Sequence, residues 1–218
     1  NDPIYPVGGS NFSLSAKATF PYSAVNGVDY AALREEREQK SQRIQELSTS
    51  TDDNDIIERN EASDRIVEID QERYKWLEFY KIKFSGDWYA KIKGNLVLRP
   101  RFEFGFLGAY NNDRGVIPFE RFFVGGDGMQ QFSRLDGREA IPLRGYPNQS
   151  LSDNDGGSIY NKFSLELRHP ITLKGQTKIF AMAFLEGGSS YNNFRDFNPF
   201  SIKRSAGIGI RLFMPAFG

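Results

Sequence analysis

Residues equipped for chemistry are scarce in this chain. It holds a single His and no Cys. That composition rules out thiol catalysis, disulfides and Cys-based zinc sites, and removes most histidine-dependent catalysis and multi-His metal sites. His169 precedes Pro170 at what reads as a strand end, where a ring more often packs at an interface than acts as a base. Gly125-Gly126-Asp127-Gly128 lacks the Lys and Ser/Thr of a phosphate loop and reads as a turn. Gly207-Ile208-Gly209 lies inside an alternating run with no helix behind it, so it is no dinucleotide fingerprint. The stretch 152–157 has the acidic spacing of a calcium loop without its distal Glu. No Gly-x-Ser-x-Gly elbow occurs. The 28 basic and 28 acidic residues cancel, so no global field draws nucleic acid. The expectation is a protein that is not an enzyme and uses no metal or cofactor.

What organises the sequence instead is a period of two. Over 10–20 the even positions are Phe12, Leu14, Ala16, Ala18 and Phe20, and the odd ones Asn11, Ser13, Ser15, Lys17 and Thr19. One face is apolar and the other polar, as in a strand between lipid and water. Over 80–92, Ile82, Phe84 and Trp88 oppose Lys81, Lys83 and Asp87. Over 96–106, Leu98, Phe102 and Phe104 oppose Arg99, Arg101 and Glu103. Over 162–168, Phe163, Leu165 and Leu167 oppose Lys162, Ser164, Glu166 and Arg168. Over 205–212, Ala206, Ile208, Ile210 and Leu212 oppose Ser205 and Arg211. The run 179–186 is apolar on both faces; a carboxylate facing lipid is costly, which turns Glu186, with Phe184, Met182 and Phe180, to the polar side.

These runs predict about six strands of membrane-spanning length, roughly 9–11 residues each. Tight turns are expected near Lys93-Gly94-Asn95 and Lys174-Gly175-Gln176. They alternate with long connections, the asymmetry of an outer-membrane barrel. A soluble β-sandwich also alternates, but its outer face seldom keeps Arg99, Arg101 and Glu103 on consecutive same-face positions. Tyr22, Tyr74, Trp76, Tyr110, Tyr160 and Tyr191 fall near strand ends, as an aromatic girdle requires. No stretch approaches the ~18 apolar residues of a membrane helix. The mean hydropathy of -0.52 looks soluble, as barrel chains do when half of each strand faces water. Residues 1–6 read as a turn and no signal peptide precedes them, so the chain is expected to begin within a longer protein.

The polar stretch 24–75 is expected to form a mobile or lightly packed helical insert outside the membrane. Its first helix, 31–47, has Asp29 as a cap and an i,i+4 pair of Glu36 with Lys40. A polar break over 48–55 follows, then a second helix over 56–76 with a Glu61–Arg65 pair and a thin stripe of Ile66, Ile69 and Trp76. A docking surface for a partner is the functional alternative for this insert.

Several motifs carry a resemblance. Pro118-Phe119-Glu120-Arg121-Phe122-Phe123-Val124-Gly125-Gly126 is followed by Ile141-Pro142-Leu143-Arg144-Gly145-Tyr146. Then come a strand ending Leu165-Glu166-Leu167-Arg168-His169-Pro170, Ala183-Phe184-Leu185-Glu186-Gly187-Gly188, and Lys203-Arg204-Ser205-Ala206-Gly207-Ile208. The chain closely resembles the C-terminal barrel of outer-membrane assembly factors in the superfamily of POTRA-bearing barrel insertases and translocases. The resemblance covers nearly everything except the polar insert. It implies an all-β, antiparallel transmembrane β-barrel of sixteen strands, of which 1–218 supplies about the ninth to fourteenth. It also implies that the long loop 112–159 folds into the lumen and latches there through Arg144, Gly145 and Tyr146, with Arg144 meeting Glu166 and Glu186 on the wall. The implied function is folding and inserting β-barrel proteins into the bacterial outer membrane, without ATP. The partners implied are outer-membrane lipid, accessory assembly lipoproteins and unfolded client barrels. A translocating pore of the two-partner secretion type is the alternative.

Overall fold

The computed structural model describes residues 4–128, 138–173 and 177–214. Among them lie eight strands and two α-helices: β1 (Gly8–Ala18), α1 (Tyr30–Glu46), α2 (Asp53–Arg73), β2 (Tyr80–Lys93), β3 (Leu96–Gly108), β4 (Phe122–Val124), β5 (Glu139–Ile141), β6 (Ile159–Thr172), β7 (Lys178–Tyr191) and β8 (Lys203–Phe213). The five alternating runs of the sequence and the apolar run 179–186 are the six strands of one open sheet, in the order β1-β2-β3-β6-β7-β8. Its β3–β6, β6–β7 and β7–β8 pairs are antiparallel. β4 and β5 form a separate parallel pair inside the long connection between β3 and β6. The β2–β3 turn falls where expected, with Gly94 at a φ of 57° that a side chain would resist. The expected turn at 174–176, residues 129–137 of the long loop and the first three residues of the N-terminal turn lie outside the described residues. Among the described residues no helix is long and apolar enough to cross a membrane.

The chain divides into two compact units. The first comprises Asn1–Ala16, Lys81–Leu107 and Pro118–Gly218. Its sheet is inverted relative to a water-soluble protein. On the polar face Lys162, Ser164, Glu166 and Arg168 of β6 and Glu186 of β7 are buried, and the loop after Pro118 reaches Glu166 and Glu186 there. On the other face Phe12, Leu14, Phe84, Trp88, Leu165, Leu185 and Ile210 are exposed, and Ile208 keeps 87% of its surface. The β7–β8 connection adds to that apolar side: Phe194 meets Phe106 edge-on and Phe197 meets Phe104 edge-on, at 6.1 and 5.7 Å between ring centroids. At the short-turn end of the polar face, Tyr5 is buried with Val97 and Phe180. Its hydroxyl donates to the carbonyls of Arg168 and Asn95, at 2.9 and 3.0 Å. The sequence reading treated this segment only as a turn.

The second unit comprises Lys17–Tyr80 and Gly108–Ile117. Residues 112–117 of the long connection therefore belong with the helices. Asp29 caps α1 by accepting from the Ala32 amide at 3.0 Å, as expected. Asp52 caps α2, so that helix starts at Asp53 and ends at Arg73 rather than spanning 56–76. The expected pairs within each helix give way to pairs between helices. Glu36 takes Arg65 of α2 instead of Lys40, at 2.7 Å, and Arg65 takes Glu68 as its intrahelical partner instead of Glu61. Arg37–Asp70 and Arg43–Glu58 complete three rungs between α1 and α2. A guanidinium fork grips a carboxylate on a facing helix at two points, which a neighbour on its own helix seldom permits. Ile69 is fully buried and supplies the apolar seam.

Two girdle assignments need correction. Tyr74 ends α2, with the Arg73 and Arg114 guanidiniums each 5.4 Å from its ring centre. Tyr160 is buried on the polar side of β6, edge-on to Phe122 at 4.7 Å. His169 is no strand end either; it sits within β6, paired with Ala181, and β6 runs on past a bulge at Pro170 to Thr172.

Candidate functional site

Three fastenings hold the long loop to the polar face. Near its start, Lys81 of β2 donates to the Glu120 carbonyl at 2.8 Å and meets the Glu120 carboxylate at 3.1 Å. Farther on, Lys83 meets Glu139 at 2.8 Å. Between them β4 inserts Phe122, fully buried, against the Tyr160 ring and beneath the Lys81 ammonium. Each lysine is a polar-face position of β2, so alternation along one strand sets the spacing of these contacts.

The third fastening is Arg144. Leu143, fully buried, enters a gap left by Gly188, where an added Cβ would stand 3.2 Å from its Cδ1. Gly145 turns the chain at a φ of 88°. Between them, Arg144 is aimed at the wall. Its main-chain N–H donates to Glu186 Oε2 at 2.9 Å, and Nη2 donates to Glu186 Oε1 at 2.6 Å. The same Nη2 donates to Glu166 Oε1 at 2.8 Å. Nη1 faces the Met182 sulfur at 3.8 Å, and the guanidinium lies over the Phe184 ring at 3.8 Å from its centre. Two residues on, the Tyr146 hydroxyl donates to the Arg204 carbonyl at 2.8 Å. The structure thus brings Arg144, Gly145, Tyr146, Glu166 and Glu186 together.

The guanidinium is not a two-pronged fork on one carboxylate. One nitrogen bridges two acids from adjacent strands, while Glu186 is gripped a second time by the backbone. The acids have further partners that sequence reasoning did not name. Arg168 Nε donates to Glu166 at 2.9 Å, Arg99 approaches it at 3.5 Å and Arg211 at 3.8 Å. The Ser164 hydroxyl donates to Glu186 at 3.2 Å. Arg99, Glu166 and Arg168 share the polar face by alternation alone, but which of them meet depends on register: Arg99 pairs with Glu166 across β3–β6. A single strand's pattern cannot supply that. Chemically, the arrangement neutralises two buried carboxylates and fixes a loop. Among the described residues no group of three His, Cys, Asp or Glu is placed to hold a metal ion.

The model of the Omp85 superfamily domain matches residues 68–218. No curated protein matches the chain.

Proposed function

The chain belongs to the Omp85 superfamily, and from that premise we propose that it is part of a BamA-type outer-membrane barrel, which folds and inserts client β-barrel proteins into the bacterial outer membrane. Superfamily membership carries outer-membrane protein insertion or translocation in general. The observation that carries the barrel reading is the inverted sheet: carboxylates and guanidiniums covered on one face, large apolar side chains bare on the other. Lipid is the solvent that makes such a face favourable. The sheet lies in the wall of a barrel, its polar face turned to the lumen and its apolar face to lipid. The insert 24–75 and the loop 112–159 leave the same end of the sheet, which is the extracellular end. No catalytic step is involved; clients, outer-membrane lipid and accessory lipoproteins are the partners.

The Arg144-Gly145-Tyr146 latch fastens the long loop to the sheet in either branch of the superfamily. A translocating pore remains the alternative, and one pair of experiments separates the readings. In intact membranes, thiol reagents confined to water should reach cysteines at Arg101 and Arg211 far more readily than at Leu165 and Ile210. Equal reactivity at all four removes the barrel reading. The full-length protein in liposomes should then accelerate folding of an unfolded barrel client; export of a soluble passenger without client folding assigns the pore instead.

A further inference from the structure

The bare face of the sheet contains a groove of about 480 Å³. Register explains it. Phe102, Phe163, Gly187 and Arg204 form one row across β3, β6, β7 and β8, and Pro100, Leu165, Leu185 and Ala206 the next row on that face. Side chains of the row between them point to the polar face, so backbone forms the floor. Gly187 leaves its row open, and Ile202 of the β7–β8 connection bends over it, with Cδ1 2.7 Å from where a Cβ would stand. The walls are therefore Phe102, Phe163, Leu165, Leu185 and Ile202, and Arg204 stands at the rim.

Arg204 is the anomaly. It is exposed on a largely apolar face, and its guanidinium has no hydrogen-bond or ion-pair partner among the described residues. A cation there is costly against hydrocarbon unless it reaches a layer of anionic headgroups. We propose that the groove is a binding site for one acyl chain of a lipid whose anionic phosphate headgroup is held by Arg204. Phosphate suits a guanidinium, because the planar fork meets two of its oxygens. The inference rests on the proposal that this face meets a bilayer.

The test uses the full-length protein in detergent micelles carrying phosphatidylglycerol and phosphatidylcholine with identical acyl chains. Native mass spectrometry counts the lipids retained. Wild type should retain phosphatidylglycerol in preference by about fivefold, the factor one basic side chain contributes at an anionic membrane surface. Arg204→Ala should bring the ratio to unity, and Arg204→Lys, which keeps the charge without the fork, should restore only part of it. Gly187→Leu, which fills the groove without touching charge, should lower retention of both lipids. Equal retention by wild type, or a preference untouched by Arg204→Ala, overturns the site. So does a dimer that covers the groove and excludes both lipids. Failure of the underlying reading looks different: the protein would not insert into vesicles of either lipid.

Discussion

Arg144 reaches Glu186 through both its backbone and its side chain, and Glu166 through the side chain alone. Removing it leaves two carboxylates, 4% and 3% exposed, short of their shared cation. Loss of one member of a buried pair costs about 3–5 kcal/mol; the low end of that range is expected for Arg144→Ala, because 21% of the Arg144 side chain is open to solvent. Limited proteolysis of the folded protein should show the loop loosened. Arg144→Lys should recover little, since an ammonium cannot lie flat on the Phe184 ring while bridging both acids. Glu186→Gln should be milder than Arg144→Ala, as the amide oxygen still accepts one bond. Full stability in Arg144→Ala would show that Arg168, Arg99 and Arg211 suffice for Glu166. A second expectation concerns Gly145: at φ 88° an Ala is strained, by about 1–3 kcal/mol, and its Cβ meets the Ser205 Cβ at 3.1 Å. Thermal unfolding of Gly145→Ala should register that loss. The named site was legible because Arg144, Glu166 and Glu186 stand in distinctive motifs. The surrounding arginines were not, because only cross-strand register brings them to Glu166. Nor was the bridging geometry, which depends on where Leu143 seats the loop.

Among elements, the helical hairpin and the strands differ in how they were readable. Strand positions followed from alternation, which burial on one face enforces. The helices were readable from capping and composition, but their pairing was not: Glu36 has suitable bases at Lys40 and across at Arg65, and one-dimensional spacing favours the nearer. Pairing across the hairpin makes its stability titratable. The hydrogen bond from Arg65 holds the Glu36 carboxyl below the ordinary carboxylate range, and the bond from Arg43 does the same for Glu58. A depressed folded value means the rungs stabilise the hairpin above the unfolded carboxylate value and are lost as pH falls through the folded one. Glu58 is exposed and Glu36 half-buried, so salt should act in the same direction as acid. Spin labels at Gln39 and Asp64 should give a narrow interhelix distance distribution at neutral pH and low salt, broadening in strong acid or high salt. A distribution indifferent to both would mean that the apolar seam at Ile69 alone holds the helices together.

At the scale of the whole molecule, the inverted faces of the sheet were legible, since each strand carried its own orientation. The division into two units was not. Residues 108–117 join the helices through contacts distant in sequence: Arg73 donates to the Asp113 and Arg114 carbonyls, and Arg114 to that of Glu78. Tyr5 was missed for a similar reason, its role being set by Phe180 and Arg168 on strands far along the chain. The proposed orientation makes one further prediction. Protease added to whole cells should cut the polar break between α1 and α2, near 48–52, while the β2–β3 turn at Gly94 stays protected. Cleavage at Gly94 with the break intact would reverse the orientation.

The bridging nitrogen of Arg144 also acts as a gauge of assembly order. Glu166 and Glu186 come within reach of one atom because Glu166 lies opposite Phe184, and Ser164 opposite Glu186. A one-residue slip between β6 and β7 would carry one acid to the other face, and a two-residue slip would replace their diagonal spacing, setting them directly opposite in one direction and farther apart in the other. The loop can therefore lock only after these strands have zipped in the correct alignment, although Arg144 is synthesised before either. Docking of the loop should be a late kinetic phase that follows β6–β7 pairing, and mispaired sheets should be recognisable by a loop that stays open to protease.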